Sequence, residues 1–250
     1  PTTCSRQSWS WEEWSFSRFC CGPRSRRPRG ARRPNLPRGP FRAILNSRAG
    51  IEGPMPTYSD AKLALKTGAI APDFSLPGTD GKTHSLGSFK HKPVLVICFS
   101  CNHCPYVQAA EERMVAFQRD FGPKGVQLVC INPNDEKVYP EDSFGGMKQR
   151  ANARGFNFTY LRDESQRVAR AYGAQCTPEF FVFDKARKLV YHGRIDDGYK
   201  EAGKAKRHDL REAAEAALAG KPVAEPVTMA MGCSIKWKAE QPGDSLLRLH

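Results

Sequence analysis

The chain has 250 residues, a net charge of +13 and nine cysteines, with 40% of its residues hydrophobic. No run of about 18 apolar residues occurs, which excludes an ordinary transmembrane helix. The cysteines are too sparse for a disulfide-stapled scaffold, and their odd number leaves at least one unpaired.

Residues 1–54 hold 11 Arg, no Lys and 3 acids, and so carry +8 of the charge. Trp9, Trp11, Trp14, Cys4, Cys20 and Cys21 also fall here, and Pro and Gly interrupt the segment too often for a helix or strand. The first reading is a disordered Arg-rich leader, artefactual or cleaved, because Met55 opens a stretch of ordinary composition. The second is an organellar transit peptide, and the third an arm that binds nucleic acid. No apolar core of a secretory signal is present. The remaining residues carry only +5, which implies no nucleic-acid partner.

From Tyr58 to about Ala69 the sequence predicts a short helix ended by Gly68. Alternating apolar residues around Thr79-Asp80-Gly81 predict a hairpin. Val94–Phe99 is an apolar run without alternation, the pattern of a strand buried on both faces. Cys101-Asn102-His103-Cys104-Pro105 follows at once. Val107, Ala110, Met114, Phe117 and Phe121 then recur at helical spacing, closed by Gly122-Pro123. Val126–Asn132 predicts a second buried strand, 134–146 a polar loop, 147–154 a helix, 158–161 a short strand, and 164–172 a helix stopped by Gly173. Glu179–Phe183 and Lys188–Gly193 predict another hairpin, and 208–219 a helix with Gly220 beyond its end. The segment 196–209 mixes charge signs and reads as solvated. Thr228–Lys238, with Gly232-Cys233, is a tail able to fold back. This order predicts an α/β sandwich around a mixed sheet, one domain over 55–238, with 239–250 a flexible C-terminal tail.

A Cys-x-x-Cys between a buried strand and an amphipathic helix is a redox motif in a suitable frame. Cys101 is expected at the helix N-terminus, where free N–H groups and the dipole favour the thiolate, and so as the nucleophile. Cys104, one turn on, is expected to resolve the mixed disulfide. His103 is expected to tune the pair by donating a hydrogen bond or positive charge to Cys101. Cys98 and Cys130 read as buried core thiols. His84, His91, His192 and His208 have no spacing partners and read as surface or hydrogen-bonded residues.

From Ala71 to about Gly220 the chain resembles the thioredoxin superfamily, in its redoxin and peroxiredoxin-like (AhpC/TSA-type) branch. APDFSLPGTDGKTHSL is similar to that branch's N-terminal hairpin, FSCNHCP to the active-site position, and TPEFFVFD to the segment after the superfamily's cis-proline. The resemblance implies a thioredoxin-like three-layer sandwich with an N-terminal hairpin extension. It implies a cis bond between Thr177 and Pro178, beside Cys101, lining the substrate groove. Cys176, in the same loop, and Cys233, on the tail, are further candidate redox thiols. Two departures stand out. Counting back from Cys104 puts Cys101 and Ile97 where peroxiredoxins carry Thr and Pro, so the hydroxyl that activates peroxide is missing. Thioredoxin's buried acid before the active site is also absent, since no Asp or Glu lies between Pro93 and Cys104.

The expected function is that of a thiol–disulfide oxidoreductase needing no cofactor and no resident metal. It would act on a protein or small-molecule disulfide with a thiol reductant, as a monomer or homodimer, without nucleic acid or membrane partners. The expected location is cytoplasmic, or organellar if residues 1–54 are a transit peptide. The alternatives are a peroxiredoxin-like thiol peroxidase and a copper- or zinc-binding module using Cys101, Cys104 and His103 or Cys176.

Overall fold

The computed structural model describes residues 65–239. The expected leader, most of the Tyr58–Ala69 helix and nearly all of the tail from 239 lie outside them. Residues 65–69 form a turn rather than the end of a helix, with Gly68 at φ +88°.

β1 (Ser75–Pro77) and β2 (Thr83–Ser85) form the predicted antiparallel hairpin, with Gly81 at φ +80° in its turn. A left-handed backbone there favours glycine, which has no Cβ to clash. The central sheet is built from β3 (Val94–Phe99), β4 (Val126–Asn132), β5 (Thr159–Arg162), β7 (Glu179–Phe183) and β8 (Leu189–Gly193), in the order β5-β4-β3-β7-β8. β3, β4 and β5 run parallel; β7 and β8 are antiparallel to their neighbours. β6 (Cys176–Thr177) lies apart and pairs antiparallel with β9 (Cys233–Ser234).

The unbroken apolar run of β3 is explained by its central place. Val94, Val96 and Cys98 face α1 (Pro105–Phe121) through Met114, Phe117 and Phe121, α2 (Phe144–Ala153) through Met147, and α4 (Asp209–Leu218) through Leu210 and Ala213. Leu95, Ile97 and Phe99 face the other layer, with Phe74, Leu76 and Phe89 and, from α3 (Arg167–Tyr172), Val168 and Tyr172. Each large side chain buried in this way contributes about 1.5–3 kcal/mol. The result is the mixed α/β sandwich with an N-terminal hairpin that the sequence predicts.

Two expectations are corrected. The polar loop at 134–146 contains a turn of 3-10 helix, Pro140–Asp142, that carries the fully buried Asp142, and α2 begins at Phe144. The segment 196–209 is not simply solvated. Asp196 is buried against Arg113, and Asp209 against Arg194 and Arg207. Buried carboxylates persist where guanidinium groups pair with them. No helix among the described residues is long and apolar enough to cross a membrane.

Candidate active site

The site forms where β3 ends and α1 begins. Pro105 is the first residue of α1 and Cys104 its N-cap, with extended φ −69° and ψ 123°. Proline suits that first position, where its missing N–H would have had no partner. The expectation that Cys101 occupies the helix N-terminus is therefore corrected. Residues 102–103 are a bend before the helix, and Cys104 receives the field of the helix N-terminus.

The two thiols differ accordingly. Both are buried, Cys101 at 1% exposure and Cys104 at 0%. Hydrogen bonding from Cys101 is the largest influence on Cys104, joined by Cys233 and the Val107 N–H; together they outweigh burial and bring its pKa down to about 5. Burial, the shared proton with Cys104 and the nearby Asp142 carboxylate push Cys101 well above the ordinary thiol range. The two thiols are thus pushed in opposite directions, Cys104 down and Cys101 up. Cys101 Sγ also contacts Thr177 Oγ1 at 3.1 Å, and Cys104 Sγ lies 3.1 Å from the Thr177 carbonyl oxygen. The Thr177–Pro178 bond is cis, as expected, and its loop lies against both cysteines. Beneath it Glu179 accepts from the backbone N–H of Gln175 and Cys176 and from His192 Nε2 at 2.6 Å, which accounts for His192 as a buried, hydrogen-bonded residue.

His103 does not bond Cys101 as expected. Its Nδ1 lies 2.6 Å from Asp142 Oδ2, and its ring stacks on Tyr139 at 3.7 Å between centroids. Asp142 also accepts from the Asn102 N–H at 2.5 Å, from Asn134 Nδ2 at 2.9 Å and from Asn132 Nδ2 at 3.2 Å. Burial opposes its ionisation, but the bonds from His103, Asn102 and Asn134 prevail and hold its pKa below the ordinary carboxylate range. With Asp142 accepting at Nδ1, the neutral ring has Nε2 free as an acceptor, and Nε2 is buried without a partner. Cys101 Sγ, a ring nitrogen of His103 and an Asp142 oxygen lie within 4.8 Å of one another. A metal held by these three would have to displace the amide donors that saturate Asp142, so the trio suits proton transfer better than metal capture.

Asp142 and Tyr139 were not found by sequence reasoning, because the acid of this site comes from a distant turn rather than from β3. Pro105 was a usable signal for the helix start. Of the two further candidate thiols, Cys176 is buried, and burial followed by Glu179 pushes its pKa up, so it is not poised to react. Among the described residues no hydrogen bond joins its thiol to Cys101 or Cys104. Cys233 is brought to the site: β9 sets it opposite Thr177, packed on Cys101, Cys104 and Val107. The expected substrate groove along Thr177 and Pro178 is thus covered by the chain's own tail, because β9 takes the backbone bonds a substrate strand would make.

Residues 67–192 match the AhpC/TSA family. A thiol-disulfide oxidoreductase ResA of Geobacillus thermodenitrificans (strain NG80-2) is 26% identical over 134 residues, covering 51% of this chain and 69% of its own length. A chloroplastic peroxiredoxin Q of Gentiana triflora is 28% identical over 168 residues, covering 61% and 71%. The crystal structure of a hypothetical protein of Sinorhizobium meliloti 1021 is 41% identical with a TM-score of 0.68, covering 71% of this chain and 97% of that one.

Proposed function

Since the chain belongs to the AhpC/TSA family, we propose that it is a thiol–disulfide oxidoreductase whose working pair is Cys104 and Cys101, with Cys104 as the attacking thiolate. The observation that supports this most is geometric: Cys104 caps the N-terminus of α1, with Cys101 packed beside it and the cis Thr177–Pro178 loop against both.

The chemistry follows from the arrangement. The Cys104 thiolate attacks one sulfur of a substrate disulfide, and the other sulfur leaves as a thiolate that takes a proton from solvent. A ring nitrogen of His103, within 4.8 Å of Cys101 Sγ, then takes the Cys101 proton. Cys101 attacks Cys104 Sγ, a Cys101–Cys104 disulfide forms, and the second substrate thiol departs with that proton. Two electrons and one proton pass from the pair to the substrate, and solvent supplies the second proton. A thiol reductant reverses the sequence.

The peroxiredoxin Q relatives favour one competing reading, reduction of a peroxide by the same Cys104 thiolate. Against it, a cysteine and not a threonine stands three residues before Cys104. Insulin reduction and hydrogen peroxide consumption by the full chain, each with dithiothreitol as reductant, separate the two. We expect insulin reduction that Cys104→Ser removes; peroxide consumption without insulin reduction would overturn the assignment. We place the protein in the cytoplasm, or in an organelle if residues 1–54 act as a transit peptide, as a monomer or homodimer without nucleic acid partners.

A further inference from the structure

Both thiols of the pair are sealed. Any external sulfur that approaches Cys104 meets the tail first. The tail is fixed on either side of the crossing. Upstream, Thr228 is buried and its N–H bonds the His192 carbonyl. Downstream, Ile235 is buried, Ile235 N–H donates to Gln175 O at 3.1 Å, and Lys236 and Lys238 bond Asn134 and Gln166. Between these anchors the pairing to β6 is only two residues long, Cys176 with Ser234 and Thr177 with Cys233. Gly232 passes so close to the loop that a Cβ there would collide with the Thr177 carbonyl oxygen. Backbone approach of this kind is available only to glycine.

Cys233 rides on this crossing and packs against the cluster of Cys101, Cys104 and Val107. It is also the only one of the six described cysteines that is not buried. An extended segment carrying a cysteine, paired to the backbone of Thr177 and set against the reactive sulfur, is what a peptide substrate would present.

We infer that β9 is a tethered internal substrate and that Cys233 is a third redox thiol, which resolves Cys104 by forming a Cys104–Cys233 disulfide. This rests on the reading of Cys104 as the attacking thiolate. Starting from a mixed disulfide between Cys104 and an external thiol, Cys233 Sγ attacks Cys104 Sγ. The bond from Cys104 to the external sulfur breaks, and that thiol leaves carrying the proton given up by Cys233. No electrons are gained or lost in this exchange; the oxidising equivalent arrived with the external disulfide. Cys101 can then attack Cys104 in turn, releasing Cys233 as a thiol and moving the disulfide into the buried pair. While Cys104 is a thiolate, burial and the bond to Cys104 hold the Cys233 pKa up at about 12. Once Cys104 enters a mixed disulfide its charge is gone, and of these influences burial alone still opposes ionisation of Cys233.

The test uses the full chain with Cys101→Ser, treated with oxidised glutathione and mapped as peptides without reduction. The expected product joins the Cys104 and Cys233 peptides by a disulfide, and Cys101→Ser/Cys233→Ser should instead accumulate glutathione on Cys104. Glutathione retained on Cys104 in the single variant, with Cys233 free, would overturn the inference and leave the proposed function standing. No glutathione on Cys104 in either variant, together with no insulin reduction by the unaltered chain, would remove both. A second variant keeps all cysteines: Gly232→Ala should lift the crossing and raise labelling of Cys104 by a bulky maleimide at least about tenfold. Unchanged labelling would mean that β9 does not gate the site.

Discussion

Two sulfur pairs lie within one turn of chain from each other and behave oppositely. Cys98 and Cys130 are partners across β3 and β4, both at 0% exposure. Cys101 and Cys104 are as deeply buried, at 1% and 0%. Burial, then the contact with Cys130, pushes the Cys98 thiol well up, and its sulfur donates to the Phe99 carbonyl. At Cys104 the same burial is overcome. Burial alone therefore does not set the direction of a thiol's pKa here. Its neighbours do: for Cys104, the Cys101 and Cys233 thiols and the start of α1. A cysteine inside a sheet has its backbone N–H neighbours committed to the ladder, whereas an N-cap residue faces N–H groups that no carbonyl claims.

The contrast can be broken in several ways. The largest effect is expected from Cys104→Ser, which should reduce disulfide reductase activity to the background exchange rate, while Cys98→Ala should leave kcat/KM within about twofold of the unaltered chain. Equal losses from the two would mean that the sheet pair takes part in turnover. Next comes Asp142→Ala. It strands the Asn102 N–H and the His103, Asn132 and Asn134 donors in the interior, at a cost of about 3 kcal/mol, because each unsatisfied buried donor costs about 1–3 kcal/mol and relaxation returns part of it. That corresponds to a fall in melting temperature of roughly 6–12 °C, readable by calorimetry.

Cys101→Ala removes the largest influence on Cys104, so the Cys104 pKa should rise from about 5 toward the ordinary thiol range. In the unaltered chain the thiolate persists as pH falls until about 5 and is lost below it. In the variant it is already lost near neutrality. The smaller thiolate fraction is partly offset by higher intrinsic nucleophilicity, so labelling of Cys104 by iodoacetamide at pH 6 should slow about tenfold. A rate that does not change would show that the helix N-terminus alone sustains the thiolate. The smallest effect is expected for His103→Pro, which removes the ring that Asp142 holds beside Cys101 and should make the couple more reducing by roughly 30 mV, or about 1.4 kcal/mol for two electrons. A glutathione redox titration that shows no shift, or one toward oxidising values, would remove His103 from the site.

Much of the fold was readable because its determinants are local. The run Val94–Phe99 and the turn at Thr79-Asp80-Gly81 announce a doubly buried strand and a hairpin, and both stand where they were predicted. The cis Thr177–Pro178 bond came from resemblance rather than from local physics. The misplacement of the helix start by one turn had a local cue, Pro105, whose preference for the first helical position marks Cys104 as the cap. Asp142 had none. A lone acid in a Pro-Glu-Asp turn looks like any solvated loop until the chain returns it to Asn102 and His103. Cys233 stands between these cases: it was named as a candidate thiol on a tail able to fold back, but only tertiary pairing brings residue 233 to residue 177.

That last pairing has a consequence for the order in which the protein is made. Thr177 and Cys233 are separated by the whole of β7, β8 and α4. A chain emerging from the ribosome completes β3, α1 and the Thr177 loop well before the tail leaves the exit tunnel. For that interval the dithiol has no cover, and ambient thiols and disulfides can reach it directly. Docking of Thr228–Lys238 therefore sets when the dithiol gains its cover.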